Sequence, residues 1–430
     1  MSSQPQAGPA PIAIVGGGPC GLTLARLLEL ARVPYVVFER DASGAPASHH
    51  QGGSLDLHAE TGQAALAAAG LTAEFERHAR REAEVLTVVD SQGNNRFRIG
   101  GAHKPGMDRP EIDRSKLRDI LLASLPEGRV RWGKALRGVE KDEEGEGGWR
   151  LRFADGESEA GFRLVVGADG AWSKVRPVLT SAKPIYSGKF YIEGRLSHSN
   201  PQYAAAQDLA GPGLSPAIGA GRLLVVQQMG DRTYRVYAGL AEPESLTKPG
   251  APLDFTSPGA DADAARAALL GYFAGWAPSL RALIENAEGP WRVWPLYTFE
   301  PAVFAPEAEE GAWRRVPGVT LVGDAAHVTL PNGEGVNLAM LDAMKLFESL
   351  SAELGFKAGG EERGVVDFDP KADAAAVERA VVAYETEMHK RALEHVKDGI
   401  MMNTMMYQAD GAEKMIAMFK EFEQQGAGQS

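Results

Sequence analysis

The sequence predicts an α/β protein: a doubly wound, Rossmann-like domain, a second domain built on an antiparallel sheet, and a long C-terminal bridging helix. Three observations carry this reading. The apolar run Pro11-Ile12-Ala13-Ile14-Val15 enters Gly16-x-Gly18-x-x-Gly21, which is a strand, a tight turn and a helix start. Far downstream, Val319-Thr320-Leu321-Val322 leads into Gly323-Asp324, a second strand ending in a turn. Between the two, alternating apolar and polar runs replace the nucleotide-type pattern.

Taken in order, Leu22, Ala25, Leu28 and Leu30 give the helix after Gly21 an apolar face, and Tyr35 to Phe38 is the next strand, completing a βαβ start. Asp113 is a good N-cap for a helix to Leu125 through Leu117, Ile120 and Leu121. Arg131 to Phe153 reads as a hairpin with an acidic, glycine-rich tip at Asp142 to Gly148. Phe162 to Val166 is a buried strand entering Gly167-Ala168-Asp169-Gly170. Arg222 to Gln227 and Thr233 to Tyr237 alternate as antiparallel strands, with a helix near Ala262 to Phe273. After a glycine- and charge-rich loop at Lys357 to Lys371, Val377, Val381, Tyr384, Met388, Val396 and Ile400 keep helical spacing. The chain thus divides into nucleotide-binding segments 1–71, 103–180 and 294–372, a second domain of 72–102 and 181–293, and a bridging helix over 373–430.

Composition bounds the function. The 430 residues are 44% hydrophobic and 24% charged, enough for two domains sharing an interface, and the net charge of -12 argues against nucleic acid or an anionic membrane as partner. Cys20 is the single cysteine, so no internal disulfide or cysteine-based metal cluster is possible. Residues 1–11 are polar and proline-rich with no signal-peptide or transmembrane pattern, so a cytoplasmic, monomeric protein is expected.

In the first motif the glycines permit a tight turn and close backbone approach, and the helix N-terminus favours a pyrophosphate. Glu39 ends the next strand, where a carboxylate accepts from ribose hydroxyls and disfavours a 2′-phosphate, leaving FAD or NAD. Asp324 decides for FAD, because a second carboxylate at a strand end suits the hydroxyls of a ribityl chain, and the glycine-rich turn Gly333-Glu334-Gly335-Val336-Asn337 offers backbone N–H groups to a flavin edge. The bland alternative is that Asp324 caps its own turn and His327 packs within it. Asp169 with Gly170, Ser173 and Arg176 reads equally as a structural turn or a cofactor contact. Arg118 on its helix suits a pyrophosphate, against a solvated arginine. Met401, Met402, Met405 and Met406 read as adaptable packing, Trp291 and Trp294 as core or interface rings, and His49 and His50 as a polar loop. No side-chain nucleophile and no metal-ligand spacing stands out.

These residues resemble class A flavoprotein monooxygenases, and within them the tetracycline-inactivating enzymes. The resemblance is carried by Gly16 to Gly21 with Glu39-Arg40, by Gly52 to His58 running into Thr61-Gly62-Gln63, by Pro110 to Arg118, and by Gly323 to Asn337. It implies that Glu39 binds the adenosine ribose with Arg40 nearby, that Asp56 and Arg118 contact the flavin, that Asp324 holds the ribityl chain, and that Gly335, Val336 and Asn337 face the isoalloxazine. It further implies NADPH as reductant, NADH being possible, O₂ activated at the flavin C4a position, and hydroxylation of a planar phenolic or polycyclic small molecule. Of the drug-contacting Gln, Arg and His in those enzymes, the Arg matches Arg222, but Glu193 and Arg235 stand at the Gln and His positions. Pro331 falls in the loop before Gly333, which is one residue shorter than in the relatives, and His49 falls where they place an arginine near NADPH.

The expectation is therefore an FAD-dependent monooxygenase that turns over tetracycline poorly. Glu193 and Arg235 either select ligand charge or pair with each other and narrow the pocket. The rivals are a non-catalytic FAD-containing binder and a flavin halogenase. The halogenase is disfavoured because Trp291-Arg292-Val293-Trp294-Pro295 lacks the halogenase tryptophan spacing.

Overall fold

The computed structural model describes residues 9–45, 52–100, 108–142, 148–305, 313–356 and 368–427. Strands β1 (Ile12–Val15), β2 (Tyr35–Phe38), β7 (Val130–Arg131), β11 (Leu164–Gly167) and β17 (Val319–Leu321) form one sheet in the order β17-β11-β1-β2-β7, with every pair parallel. β1, β2 and β11 are buried along their whole length, as covered parallel strands must be, which explains their unbroken apolar sequence. Register aligns the strand ends. Val15 lies beside Phe38 and Gly167, and Gly167 beside Leu321, so Gly16, Glu39, Ala168 and the Gly323 turn all emerge at one edge, the carboxyl ends of the strands.

Helix α1 (Pro19–Leu30) starts directly from the first turn, with Pro19 in the first helical position, where its missing N–H costs nothing. Helix α2 (Arg114–Ala123) follows Asp113 as expected, but Asp113 does not cap it: its carboxylate instead accepts the Gly230 N–H at 3.0 and 3.1 Å, tying this helix to the second sheet. A short pair, β3 (Ser54–Asp56) and β6 (Glu111–Asp113), lies between the two.

The second sheet has seven strands: β16 (Glu288–Thr298), β12 (Ile185–Leu196), β15 (Tyr234–Leu240), β14 (Arg222–Gln228), β13 (Leu214–Gly219), β4 (Val85–Asp90) and β5 (Phe97–Gly100), in that order. It is antiparallel except for the β13–β4 pair. One face carries Phe190, Ile192, Leu224, Val226, Val236 and Ala238 into a core with helix α3 (Ala262–Tyr272). Asp261 caps α3, accepting from the N–H groups of Asp263 and Ala264.

Two expectations change in detail. Arg131 belongs to β7 of the parallel sheet, and the hairpin is confined to β8 (Leu136–Lys141) and β9 (Trp149–Phe153), with β10 (Ser158–Glu159) beside it. The single C-terminal helix is two: α5 (Pro370–Met406) and α6 (Gly411–Ala427). Ahead of both, α4 (Gly335–Leu354) opens from the second glycine turn. α5 packs on α4 and α6 packs on β4 and β13, so the bridge between the sheets is made by the pair. Met402, Met405 and Met406 pack at this junction with Ile218, Leu223 and Tyr407, whereas Met401 is 61% exposed. Trp291 packs on Phe255 at 4.6 Å in the second core. His49, His50 and most of the Lys357 to Lys371 loop lie outside the described residues, as does the centre of the Asp142 to Gly148 tip. Among the described residues no helix is long and apolar enough to cross a membrane, and no group of acidic, histidine and cysteine side chains is arranged to hold a metal.

Candidate cofactor and substrate site

The three glycines of the first turn have different physical roles. A Cβ on Gly16 would lie 2.3 Å from the Ala168 carbonyl oxygen, and one on Gly21 would lie 2.1 Å from that of Gly16, so both are demanded by the protein's own backbone. Gly16 also has φ +113°, a region L-residues avoid. A Cβ on Gly18 would meet nothing within 4 Å: here the space lies on the ligand side, in front of the α1 N-terminus. Gly17, which the sequence reading passed over, donates its N–H to Glu39, whose other oxygen accepts from the Asp41 N–H at 2.9 Å. Arg118 is buried and braces this loop, donating to the Gly17 carbonyl and to Asp41, each at 3.0 Å. Arg40 is exposed.

Asp324 opens the helical turn Asp324–His327. Its carboxylate is exposed to the cleft yet surrounded by protein otherwise, and no described residue donates a hydrogen bond to it. Burial raises its pKa, opposed by the cations of His327 and Arg114. Gly323 before it has φ +59° and leaves no room for a side chain, since a Cβ would lie 2.8 Å from that of Ala339.

Asp56 and the Gly333 to Asn337 turn are locked together by Asn337 and by His58 and Glu334, to which sequence reasoning gave no role. His58 Nε2 meets Asp56 at 2.8 Å and its Nδ1 meets Glu334 at 3.0 Å. Burial works against its charge, but hydrogen bonds to Asp56 and Glu334 outweigh it, and the His58 pKa is raised to about 9. Asn337 is fully buried: its oxygen accepts the His58 N–H at 2.9 Å and its amide donates to the Asp56 carbonyl at 2.9 Å. Asn337 is therefore a strut between β3 and α4, and a Cβ on Gly335 at the helix start would meet nothing within 4 Å. The pattern Asp-x-His in one segment and Glu-x-x-Asn in another was the available signal, but neither reads as a pair without the fold.

One Asp169 carboxylate oxygen accepts the Lys174 N–H at 2.6 Å and the other is buried without a hydrogen-bond partner, while Ser173 accepts from Val175 and Arg176. Arg176 then donates to the Ala325 carbonyl at 3.0 Å, tying this turn to the Asp324 turn.

On the second sheet, Glu193 lies opposite Tyr237, and Tyr237 opposite Val225, on the face turned toward β3. A Cβ on Gly53 would meet the Tyr237 hydroxyl at 2.6 Å and the Gln227 amide oxygen at 2.7 Å, so this face and the parallel-sheet unit wall a common cleft. Arg114 is exposed there and senses both Asp324 and Tyr237. Glu193 is 1% exposed, forms an ion pair with Arg235 at 3.3 Å, and accepts from Trp294 Nε1 at 2.7 Å. The ion pair narrows the wall, although Glu193 Oε1 and Arg235 Nε are buried without a hydrogen-bond partner. Arg222 is a correction. It sits three residues from Val225, on the opposite face, where it stacks on Tyr272 of α3 and pairs with Glu242 at 3.0 Å, so it does not line the cleft. Pro331 is exposed, its carbonyl held by Asn403 of α5 at 2.9 Å.

The site's two hallmarks, an open glycine turn and an unpartnered cleft carboxylate at the same sheet edge, fit FAD. A family profile described as an FAD binding domain matches residues 9–192 and 312–363. The chain belongs to this family of FAD-dependent monooxygenases. Monooxygenase penA of Penicillium thymicola is 30% identical over 440 residues, covering 94% of this chain and 97% of that one. The 3-amino-4-hydroxybenzoate 2-monooxygenase PtnB3 of Streptomyces platensis is 30% identical, covering 90% and 89%. The crystal structure of tetracycline destructase Tet(51) superposes with a TM-score of 0.61 at 16% identity over 96% and 97% of the two chains, a likeness of fold. The FAD-dependent monooxygenase thus uses a reduced nicotinamide, O₂ and an aromatic small molecule.

Proposed function

We propose that this monooxygenase hydroxylates a planar phenolic or polycyclic compound with NADPH as reductant, and that Asp324 is the principal anchor of its FAD. The observation that carries the reading is the Asp324 carboxylate, which faces the cleft without a protein donor, whereas Glu39, Asp56, Asp342 and Glu193 each have a protein partner. A charge-assisted acceptor left free in a cleft suits the hydroxyls of a ribityl chain. Bound FAD supplies the redox and oxygen chemistry.

The chain's own residues bind, orient and shield. In this reading the α1 N-terminus and the open side of Gly18 receive the pyrophosphate, and Glu39, held by the Gly17 and Asp41 N–H groups, presents its remaining lone pairs to the ribose. Arg118 and Arg40 support that end, Arg118 by fixing the loop. Asp56 and the N–H groups at Gly335 and Val336 face the flavin edge, while Asn337 keeps β3 and α4 at a fixed spacing.

The substrate lies against the cleft face of the second sheet, with Glu193 and Arg235 shaping it as a closed pair rather than as free ligands. Arg114, Tyr237 and the Pro331 loop complete the boundary. At the Glu193 and Arg235 positions this wall lacks the neutral amide and imidazole of the tetracycline enzymes, so tetracycline is turned over slowly. The test is direct: purified holoenzyme with NADPH and a panel of phenolic and polyketide-like compounds. Ligand-stimulated NADPH oxidation with a product heavier by one oxygen is expected for a member of the panel, and only a trace of such product from tetracycline. Rapid, complete conversion of tetracycline would overturn the reading of Glu193 and Arg235, and faster flavin reduction by NADH than by NADPH would overturn the choice of reductant.

A further inference from the structure

Behind Asp324, three side chains, Arg391, Asp342 and His327, form a line. Arg391 of α5 donates to Asp342 at 3.0 Å, and the other Asp342 oxygen meets His327 Nε2 at 2.5 Å and accepts the Gly323 N–H at 3.1 Å. Asp342 and His327 are 0% and 1% exposed. Arg391 keeps contact with solvent through a hollow of about 190 Å³ that it shares with Glu334, Glu394, His395 and Asp398. The line runs from the surface of the C-terminal helix, through the buried pair, to the turn whose first residue is Asp324.

We propose that His327 is a positioning residue for the cofactor carboxylate, transmitting the Arg391–Asp342 pair to Asp324 so that this side chain stays anionic and aimed into the cleft. The proposal rests on the reading of Asp324 as the FAD anchor. Two carboxylates at one turn, Asp324 at its start and the buried Asp342 beneath it, would repel each other without a cation between them. His327 closes the turn that Asp324 opens and bonds Asp342 through Nε2, while its Nδ1 is buried without a hydrogen-bond partner. Burial disfavours its charged form, but Asp342 and Asp324 outweigh the burial and raise its pKa. Asp342 is lowered despite its own burial, by His327 and Arg391.

Of the other groups facing this cluster, Arg176 donates to the Ala325 carbonyl of the same turn at 3.0 Å. His389 and His395 on α5 are pushed down to about 4, by burial and then by the His327 charge. Tyr384 on α5 and Cys20 on α1 are pushed up, by burial first and then by Asp342. Across the cleft Arg114 of α2 is the second cation near Asp324. Glu334 lines the same hollow as Arg391 and acts on His395.

FAD affinity, followed by flavin fluorescence on the apoprotein between about pH 5 and about pH 9, separates this role from a packing role. In the wild type, affinity is level and falls only where Asp324 takes up a proton. In His327→Gln, which keeps a donor to Asp342 and removes the charge, the fall moves upward by about one pH unit, so that affinity drops about tenfold at a pH where the wild type is still level. Asp324→Asn binds weakly at every pH, with no such fall. A His327→Gln profile that coincides with the wild type overturns the proposal and spares Asp324; an Asp324→Asn protein with wild-type affinity overturns the anchor reading beneath it. Should His327→Gln fail to fold, imidazole nitrogen NMR of the wild-type apoprotein decides. Two protonated His327 nitrogens at neutral pH support the proposal, and a neutral ring overturns it.

Discussion

At the residue scale, the three glycines of the first turn separate fold from ligand binding. Gly21→Ala pushes a methyl to within 2.1 Å of the Gly16 carbonyl oxygen, so the protein should lose stability whether or not FAD is present. Gly18→Ala meets no protein atom within 4 Å, so the expected outcome is a normally folded protein with weakened FAD affinity. Thermal melts of both variants, with and without FAD, check the distinction. Asp324→Ala removes a charge-assisted acceptor and should cost about 1.5–3 kcal/mol of FAD binding, read as loss of yellow colour on purification. His58 gives a pH signature. Its pKa is about 9 in the folded protein against 6.5 for the free side chain, so its contribution to stability is complete below about 6.5 and disappears as pH rises through about 9. Urea unfolding should therefore show a loss of stability across that window, and His58→Gln should remove that slope.

At the element scale, the second sheet places Arg235 and Arg222 on opposite faces. Removing one partner of a buried ion pair strands the other, so Glu193→Leu should destabilise by about 3–5 kcal/mol, partly relieved in Glu193→Leu/Arg235→Leu. Arg222→Met should also destabilise, through lost stacking on Tyr272, but should leave substrate preference unchanged, because its side chain lies on the face away from the cleft. A shifted substrate preference in Arg222→Met would contradict this placement. Denaturant titration and a substrate panel on the two variants measure both effects.

These elements also show what the chain disclosed on its own. Strands β1, β2 and β11 were legible because parallel strands covered on both faces need unbroken apolar runs, and Gly16, Gly21 and Gly323 because the neighbouring atoms leave no room for a Cβ. The face on which Arg222 lies was not legible, since a strand's two faces can be told apart only from the register with its neighbours. Nor was the Asp56–His58–Glu334 lock or the Asp342–Arg391 pair, whose members are distant in sequence and become partners only when α4 and α5 pack against the parallel sheet. The division of the C-terminal helix at Tyr407 was hidden because helical spacing resumes on both sides of the break.

At the scale of the whole molecule, the parallel sheet brings the glycine turn, Glu39 and Asp324 to one edge, and the antiparallel sheet closes the opposite side of that cleft. The net charge of -12 leaves anionic ligands without general attraction, so cofactor phosphates depend on local donors at the α1 N-terminus. FAD affinity should accordingly be more sensitive to changes in that turn than to ionic strength, which a salt series on the wild type and Gly18→Ala would measure.

The central claim is that the FAD held at this edge is used to insert oxygen into an aromatic ligand bound against the second sheet. The most direct test supplies the holoenzyme with NADPH and isotopically labelled dioxygen together with the panel compound that most stimulates NADPH oxidation. The account predicts a product carrying one labelled oxygen atom. NADPH oxidation that yields only hydrogen peroxide, with no labelled product from any stimulating compound, would contradict it.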